Sequence, residues 1–515
     1  MVVKIIILVV YIVGMLLVAF FTRKRSKTVG DTLLGNRNMG GWLTAFAYGT
    51  TYFSAVIFIG YAGEQGYSFG FSSLWIGVGN AILGSLIAWI VLAKRTKNMT
   101  VHFDTKTMPE FFEARYSSKH LKLLAALIVV IFLVPYSAGV YTGLGYLFKS
   151  VFGIDFIWVV IAMAAITAIY LFFGGYFATA VSDFIQGIIM LVGVVIMIAF
   201  VYNYDKVGGL IEGISNITNK REELGLSMSG TGIYQLIMLV LLTSLGTWGL
   251  PQIVHKFHTV KDENAIKKAT WVSTGFALII GVCAYLVGCA VVLVLENAGT
   301  VPVDQRIPEL LAKTLPAGLL GLIAVLVLSA SMSTLSGLTL TIASSASVDI
   351  IKGYIKKEAS DKVVNYAIKI IGIIVIAISA GLAIYNNHIQ ITTGKAPTIV
   401  SLMSLSWGVL AGSFLGPYIY GIYDKKATKP AAYASMIGTL VITAVLYIIS
   451  KTVPAAAPYL FSPAIGVITM VYSMIVMPIV SRLTKTPSPE MVEAAFNAAK
   501  KREKDQAKEE IQEQA

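Results

Sequence analysis

Apolar runs of membrane length recur along the whole chain. About thirteen stretches are apolar over roughly the 20 residues that a bilayer-crossing helix needs. They are 2–22, 42–62, 70–94, 121–148, 156–174, 177–203, 232–254, 269–295, 316–348, 364–386, 397–422, 430–450 and 459–482. The connections between them are short and polar, apart from 204–231 and the tail beyond Lys485. Only helices close all their own backbone hydrogen bonds within one apolar segment, so the pattern predicts an all-α membrane protein. The first run, 2–22, is followed by Arg23, Lys24, Arg25 and Lys27 and has no small-residue cleavage site. It reads as a retained helix and not as a signal peptide.

Polar residues inside these runs carry the chemistry. Ser331-Met332-Ser333-Thr334-Leu335-Ser336 places four hydroxyls within six residues of the 316–348 run. One mid-helix hydroxyl can bond back to its own backbone; a cluster exceeds that need, because hydrocarbon offers it no other partner. Clustered neutral oxygens suit a hard cation such as sodium. The 42–62 run is interrupted by Gly49-Thr50-Thr51-Tyr52-Phe53-Ser54, and the 232–254 run by Gly246-Thr247-Trp248-Gly249-Leu250-Pro251. Glycine, proline and adjacent β-branched residues are poor helix centres. The two interruptions lie five spans apart. That spacing predicts a core of five plus five helices in an inverted repeat, each half opening on a discontinuous helix. Asp183, at the start of the 177–203 run, is the conspicuous acid near membrane depth. It has two readings: a functional carboxylate, or a helix cap at the boundary.

Charge orients the array. Lys and Arg concentrate in alternate connections: 23–37, 94–97, 256–268, 352–357 and 425–429. An odd number of spans then puts the N-terminus outside and the C-terminus in the cytoplasm of a multi-pass cell-membrane protein. The 204–231 connection strains this rule, because it carries Lys206, Lys220 and Arg221 and has to lie outside. Composition agrees with the spans: 56% hydrophobic, 13% charged and mean hydropathy +0.77. The net charge of +13 is accounted for by the loops and does not call for nucleic acid.

Other chemistries find little support. Cys283 and Cys289 share one apolar run, and the five histidines form no intramembrane ligand pair. No glycine-rich nucleotide loop is present, which argues against an ATP-driven pump and for an ion gradient as the energy source; a transporter and not an enzyme is expected. The tail from 485 alternates acid, base and alanine and reads as a solvated cytoplasmic helix.

Five separate blocks resemble the sodium:solute symporter family. They are Leu34 to Gly40, Thr107-Met108-Pro109-Glu110-Phe111-Phe112 with Arg115-Tyr116, Gly174-Gly175 to Gln186, Ser333-Thr334-Leu335-Ser336, and Gly416-Pro417 to Thr428. The resemblance spans nearly the whole chain. It implies one extra helix at 1–24, a first repeat at 38–203, a second at 232–422, two further helices at 429–484 and a charged tail at 485–515.

It also implies a sodium site formed by the carbonyls of Thr50, Phe53 and Ala330 and the hydroxyls of Ser333 and Thr334. A second sodium or a release path would involve Asp183 and Ser336. Gly337 stands where that second site has a serine, so one sodium per solute is expected. The sodium/proline branch is nearest, with Tyr136 and Pro251 at cavity-lining positions. Tyr52 replaces an Asp of that branch, and Thr243 and Thr247 replace a Trp and a Tyr. The implied solute pocket is Tyr52, Ser54, Tyr136, Thr247, Trp248 and Pro251.

The expected function is sodium-coupled symport of a small organic solute by alternating access, with an amino acid such as proline as the first candidate. A monocarboxylate, sugar or vitamin is the alternative. A membrane solute sensor and a channel are the alternatives of another class. The expected partners are sodium, the solute and the lipid bilayer, with no nucleotide.

Overall fold

A computed structural model describes residues 2–22, 28–173, 175–487 and Phe496. The basic group Arg23 to Lys27, Gly174 and the rest of the tail lie outside the described residues. Among the described residues the regular structure is helical, with one isolated bridge between Met39 and Val260.

The membrane array is α1 (Val2–Thr22), α2 (Gly41–Tyr52), α3 (56–69), α4 (74–102), α5 (Lys119–Phe152), α6 (Phe156–Phe173), α7 (Tyr176–Tyr202), α8 (Gly230–Leu245), α9 (Pro251–Thr259), α10 (Glu263–Cys289), α11 (Ala317–Ile355), α12 (Asp361–Thr393), α13 (Ile399–Tyr423), α14 (Lys429–Thr452) and α15 (Ser462–Leu483). Eleven helical stretches among the described residues are long and apolar enough to cross a bilayer. The other two expected spans are the 18-residue α6 and the crossing that α2 and α3 share across a break. The interrupted 232–254 run likewise divides into α8 and α9.

Local chemistry sets the ends. Gly70 turns the chain between α3 and α4 at φ 55, ψ −139, which a side chain would strain. Thr107 accepts from Glu110 N at 3.1 Å and opens the short helix Met108–Tyr116, with Pro109 in its first turn. Asp262 accepts from Ala265 N at 2.7 Å and opens α10.

Small residues let the helices close up. A Cβ on Gly66 would meet the Gly288 carbonyl carbon at 2.3 Å, so α3 and α10 pack backbone against backbone. α2 packs on α10 and α7, and α11 packs on α7, α5 and α1. α1 buries only Tyr11, Met15 and Ala19 and offers its other faces to lipid.

The basic connections gather at one end. Lys94 pairs with Glu263 at 2.9 Å, Lys97 donates to Lys261 O at 2.7 Å, and Arg115 donates to Gly421 O and Asp424 O. The polar connection 204–231 is not a loose loop. It forms the helix Leu210–Glu223, and Arg221 donates to the carbonyls of Tyr67, Ser68 and Leu226.

Candidate ion and solute site

The first break supplies free carbonyls. α2 stops at Tyr52, and Phe53 is extended at φ −103, ψ 103. Ser54 Oγ accepts from Val56 N at 3.1 Å and restarts the helix. The hydroxyl cluster of α11 faces this break and divides into two kinds. Ser331 donates back to Val327 O at 2.6 Å and Ser336 to Ser333 O at 2.9 Å, so their own helix satisfies both. Ser333 Oγ reaches across to Thr50 O at 3.0 Å, and Thr334 Oγ1 reaches Thr50 O at 3.3 Å and Thr51 O at 3.5 Å. Both also stand within 3.1 Å of Ala330 O.

Four of the five expected sodium ligands therefore converge: Thr50, Ala330, Ser333 and Thr334. Thr51 joins them, and its own Oγ1 has no hydrogen-bond partner. Phe53 is different. Its carbonyl belongs to the extended stretch, and no hydrogen bond ties it to Ser333 or Thr334 among the described residues.

Asp183 is not a cap. Gly175 caps α7 without a side-chain bond, and Asp183 lies two turns inside the helix at 2% exposure. Its Oδ1 has no hydrogen-bond partner; its Oδ2 is 3.9 Å from Lys256 Nζ. Both line a cleft with Ser333, Ser336, Gly337 and Pro251, and the cleft extends past Ser344 to Thr107 and Pro109 at the basic end. Lys256 is a buried cation that sequence reasoning missed. Its position near the end of an apolar run looked like an ordinary boundary lysine. His258 is missed in the same way, with both ring nitrogens buried and unpartnered.

The expected solute residues fall into two groups. Tyr52 is fully buried, and its ring lies 6.1 Å from Trp407, which in turn lies 5.8 Å from Tyr136. The Tyr52 hydroxyl donates to Thr243 O at 2.5 Å. Tyr136 OH, Tyr285 OH and Trp407 Nε1 are buried without hydrogen-bond partners, which is unusual for such groups. Trp407 was a further omission. An indole at the centre of an apolar run, away from the interface, was the available signal.

The second break holds the other group. Thr247 donates to Ser244 O at 2.7 Å, and Trp248 Nε1 donates to Leu83 O at 3.0 Å, so both are committed to neighbouring backbone. Trp248 is half-buried. Pro251 lines the Asp183 cleft, and Ser54 is held at the first break.

The model of the sodium:solute symporter family matches residues 33–439. The chain belongs to this family. The osmoregulated proline transporter OpuE of Bacillus subtilis (strain 168) is 29% identical over 485 residues, covering 93% of this chain and 94% of that protein. A sodium/proline symporter of Staphylococcus aureus is 30% identical over 492 residues, covering 93% and 92%. A solved Na+-coupled sialic acid symporter, substrate-bound and outward-open, superposes with a TM-score of 0.76 at 20% identity over 94% of this chain and 98% of that one. That likeness shows the fold: the helical core is the five-plus-five arrangement with discontinuous helices. As a sodium:solute symporter the protein is a multi-pass membrane transporter and not an enzyme, and sodium is its coupling ion.

Proposed function

We propose that the protein carries a neutral or zwitterionic amino acid, with proline as the first candidate, inward together with sodium. The observation that carries this reading is the meeting of Ser333 and Thr334 with the carbonyls freed at the Thr50–Ser54 break. Each hydroxyl has one proton and two lone pairs. With the proton turned toward Ala330 O, the lone pairs face the Thr50 carbonyl side and can hold a hard cation. Five oxygens of this kind suit sodium better than any metal that prefers nitrogen or sulfur.

Sodium there bridges α2 and α11, helices from the two halves of the core, and stabilises one arrangement of them. The same break positions Tyr52 beside Trp407 and Tyr136, so ion and solute bind through one shared segment. Each ligand then raises the affinity of the other by the same factor. The unpartnered Tyr136 OH, Tyr285 OH and Trp407 Nε1 supply hydrogen-bond donors without fixed charge, which favours a neutral or zwitterionic solute. The proline relatives, near 30% identity, support that choice. On this reading Asp183 and Ser336 lie along the release path, 38–203 and 232–422 are the repeats, and the basic end is cytoplasmic, with the N-terminus outside.

The test is uptake of labelled proline into proteoliposomes holding the purified protein. Uptake driven by an inward sodium gradient, and abolished when potassium replaces sodium, is the expected result. Sodium-driven uptake of another solute without competition by proline would move the assignment to a monocarboxylate, sugar or vitamin. Sodium-dependent solute binding with no flux would make the protein a sensor.

A further inference from the structure

Two opposite charges are buried in the cleft below the ion site, and they are not hydrogen-bonded to one another. Lys256 is 4% exposed and Asp183 2%. Their closest atoms are 3.9 Å apart, beyond hydrogen-bond distance. The ammonium stands instead 5.1 Å from the Tyr176 ring centre, within reach of a cation–π attraction. Asp183 Oδ1 is left with no hydrogen-bond partner.

An isolated carboxylate at this depth is costly, so Asp183 needs a cation close by. The cleft supplies one from the protein itself. The side-chain oxygens that share the cleft include those of Thr179, Gln252, Ser333 and Ser336, and Gln252 Oε1 has no hydrogen-bond partner. Ser336 is already bonded to Ser333 O at 2.9 Å. At position 337 a glycine contributes no side chain, and a Cβ there would point at the Thr51 side chain.

Lys256 sits on α9, one and a half turns beyond Pro251, so it moves with the lower half of the second broken helix. Asp183 sits on α7 in the other half of the core. The gap between the two charges is set by how α9 seats against α2, α4 and α11.

We propose that Lys256 is a tethered cation that balances Asp183 in place of a second sodium ion and so fixes coupling at one sodium per solute. The proposal rests on the sodium site at Ser333 and Thr334. A sodium ion leaving that site toward the basic end enters the cleft beside Asp183. There it meets an ammonium already bound to the helix, and like charges repel strongly where water is scarce. Lys256 closes on the carboxylate as the ion departs, which opposes return of sodium from the cytoplasmic side. Its role is to position and balance charge; it does not ligate the ion.

The experiment is equilibrium binding of 22Na+ to the purified full-length protein and its variants, without solute. The parent is expected to bind one sodium. Lys256→Gln removes the tethered charge and should bind a second; Lys256→Arg keeps the charge and should bind one. Asp183→Asn leaves the ammonium unbalanced, and sodium affinity should fall by at least about tenfold, the scale of a broken close charge pair. The double variant Asp183→Asn/Lys256→Gln is neutral again and should recover affinity to within about threefold of the parent.

That recovery does not depend on the stability of either single variant, because a charge-free pair leaves no orphan. One sodium of parent affinity in Lys256→Gln, two in the parent, or no recovery in the double variant overturns the role of Lys256 while the Ser333–Thr334 site stands. A parent that binds no sodium overturns both.

Discussion

A serine or threonine in a membrane helix has two ways to satisfy its hydroxyl, and α11 shows both within one turn and a half. Ser331 and Ser336 bond to their own helix; Ser333 and Thr334 also reach α2. Alanine at the first pair removes only a local bond, worth about 1 kcal/mol or less. At the second pair it removes an oxygen shared between two helices. Ser333→Ala and Thr334→Ala should each lower sodium affinity at least about tenfold, a loss of about 1.4 kcal/mol, with Ser331→Ala near parent level. Sodium-dependent uptake curves decide it, and equal curves for all three variants would remove the site from this turn. In the solute region, Tyr285→Phe keeps the ring and Trp407→Phe replaces the indole by a smaller ring, and each removes a donor that has no hydrogen-bond partner. They should reorder the solutes that compete with labelled substrate more than they change the sodium requirement. Thr247→Ala and Trp248→Phe should change that order less, since both side chains are tied to backbone. The reverse ranking would place the pocket at the second break.

At the scale of elements, the breaks work only because their surroundings are tightly held. α3 and α10 touch at backbone, and a Cβ on Gly288 would fall 1.9 Å from Ala62 O. Gly288→Val therefore forces the upper half of the broken helix away from α10. A loss of roughly 1–3 kcal/mol or more is expected, as for other overpacked sites. Gly275, on the same helix, has open space around it, so Gly275→Ala is the matched control. Melting temperatures of the two variants in one detergent measure the contrast, and similar melting would mean the contact is soft. Asp183 belongs to this scale as well, because it lies inside α7 and not at its end. Asp183→Asn should reduce transport sharply in protein that still inserts and melts as a folded species. A parallel fall in stability with normal turnover per folded molecule would return it to a purely structural part.

For the whole molecule, the segment that follows α10 lies at the end opposite the basic connections. Asp304 lies there, outside the membrane helices, and accepts from Ile399 N, the first residue of α13, at 3.1 Å. Burial first, then the charge of Glu64, raises its pKa from the usual 3.8 to about 7, against the pull of the Ile399 amide and Arg306. The folded protein therefore holds a proton on Asp304 that the unfolded chain releases near pH 4. Between about pH 4 and 7 this group makes stability fall as pH rises, and above about 7 its contribution is flat. Asp304→Asn keeps an acceptor for Ile399 N and loses the titration. The melting temperature of the variant minus that of the parent should rise across this window and level off above it. A difference that does not vary with pH would mean Asp304 is ionised throughout. At the same scale, the structure bears out the all-α membrane class and the discontinuous helices, while the short α6 and the broken α2–α3 pair reduce the uninterrupted spans to eleven.

What the sequence alone determined is what depends on local composition. Hydropathy marks a bilayer span because the backbone has no other way to be satisfied in lipid. Glycine, proline and β-branched clusters mark breaks because they raise the local cost of a helix. The hydroxyl pair Ser333–Thr334 was legible for the same reason, since its oxygens stand out against hydrocarbon. Contacts between distant segments left no such trace. That the Thr51 carbonyl faces Thr334 follows from how α2 meets α11. That Trp248 serves α4, and Trp407 stands beside Tyr52, follows from helix rotation, which packing sets. Lys256 looks like any boundary lysine along the chain. Only the packing of α9 against α2, α4 and α11 buries it and leaves it 3.9 Å from Asp183, because a helix fixes which residues share a face but not which helix that face will meet.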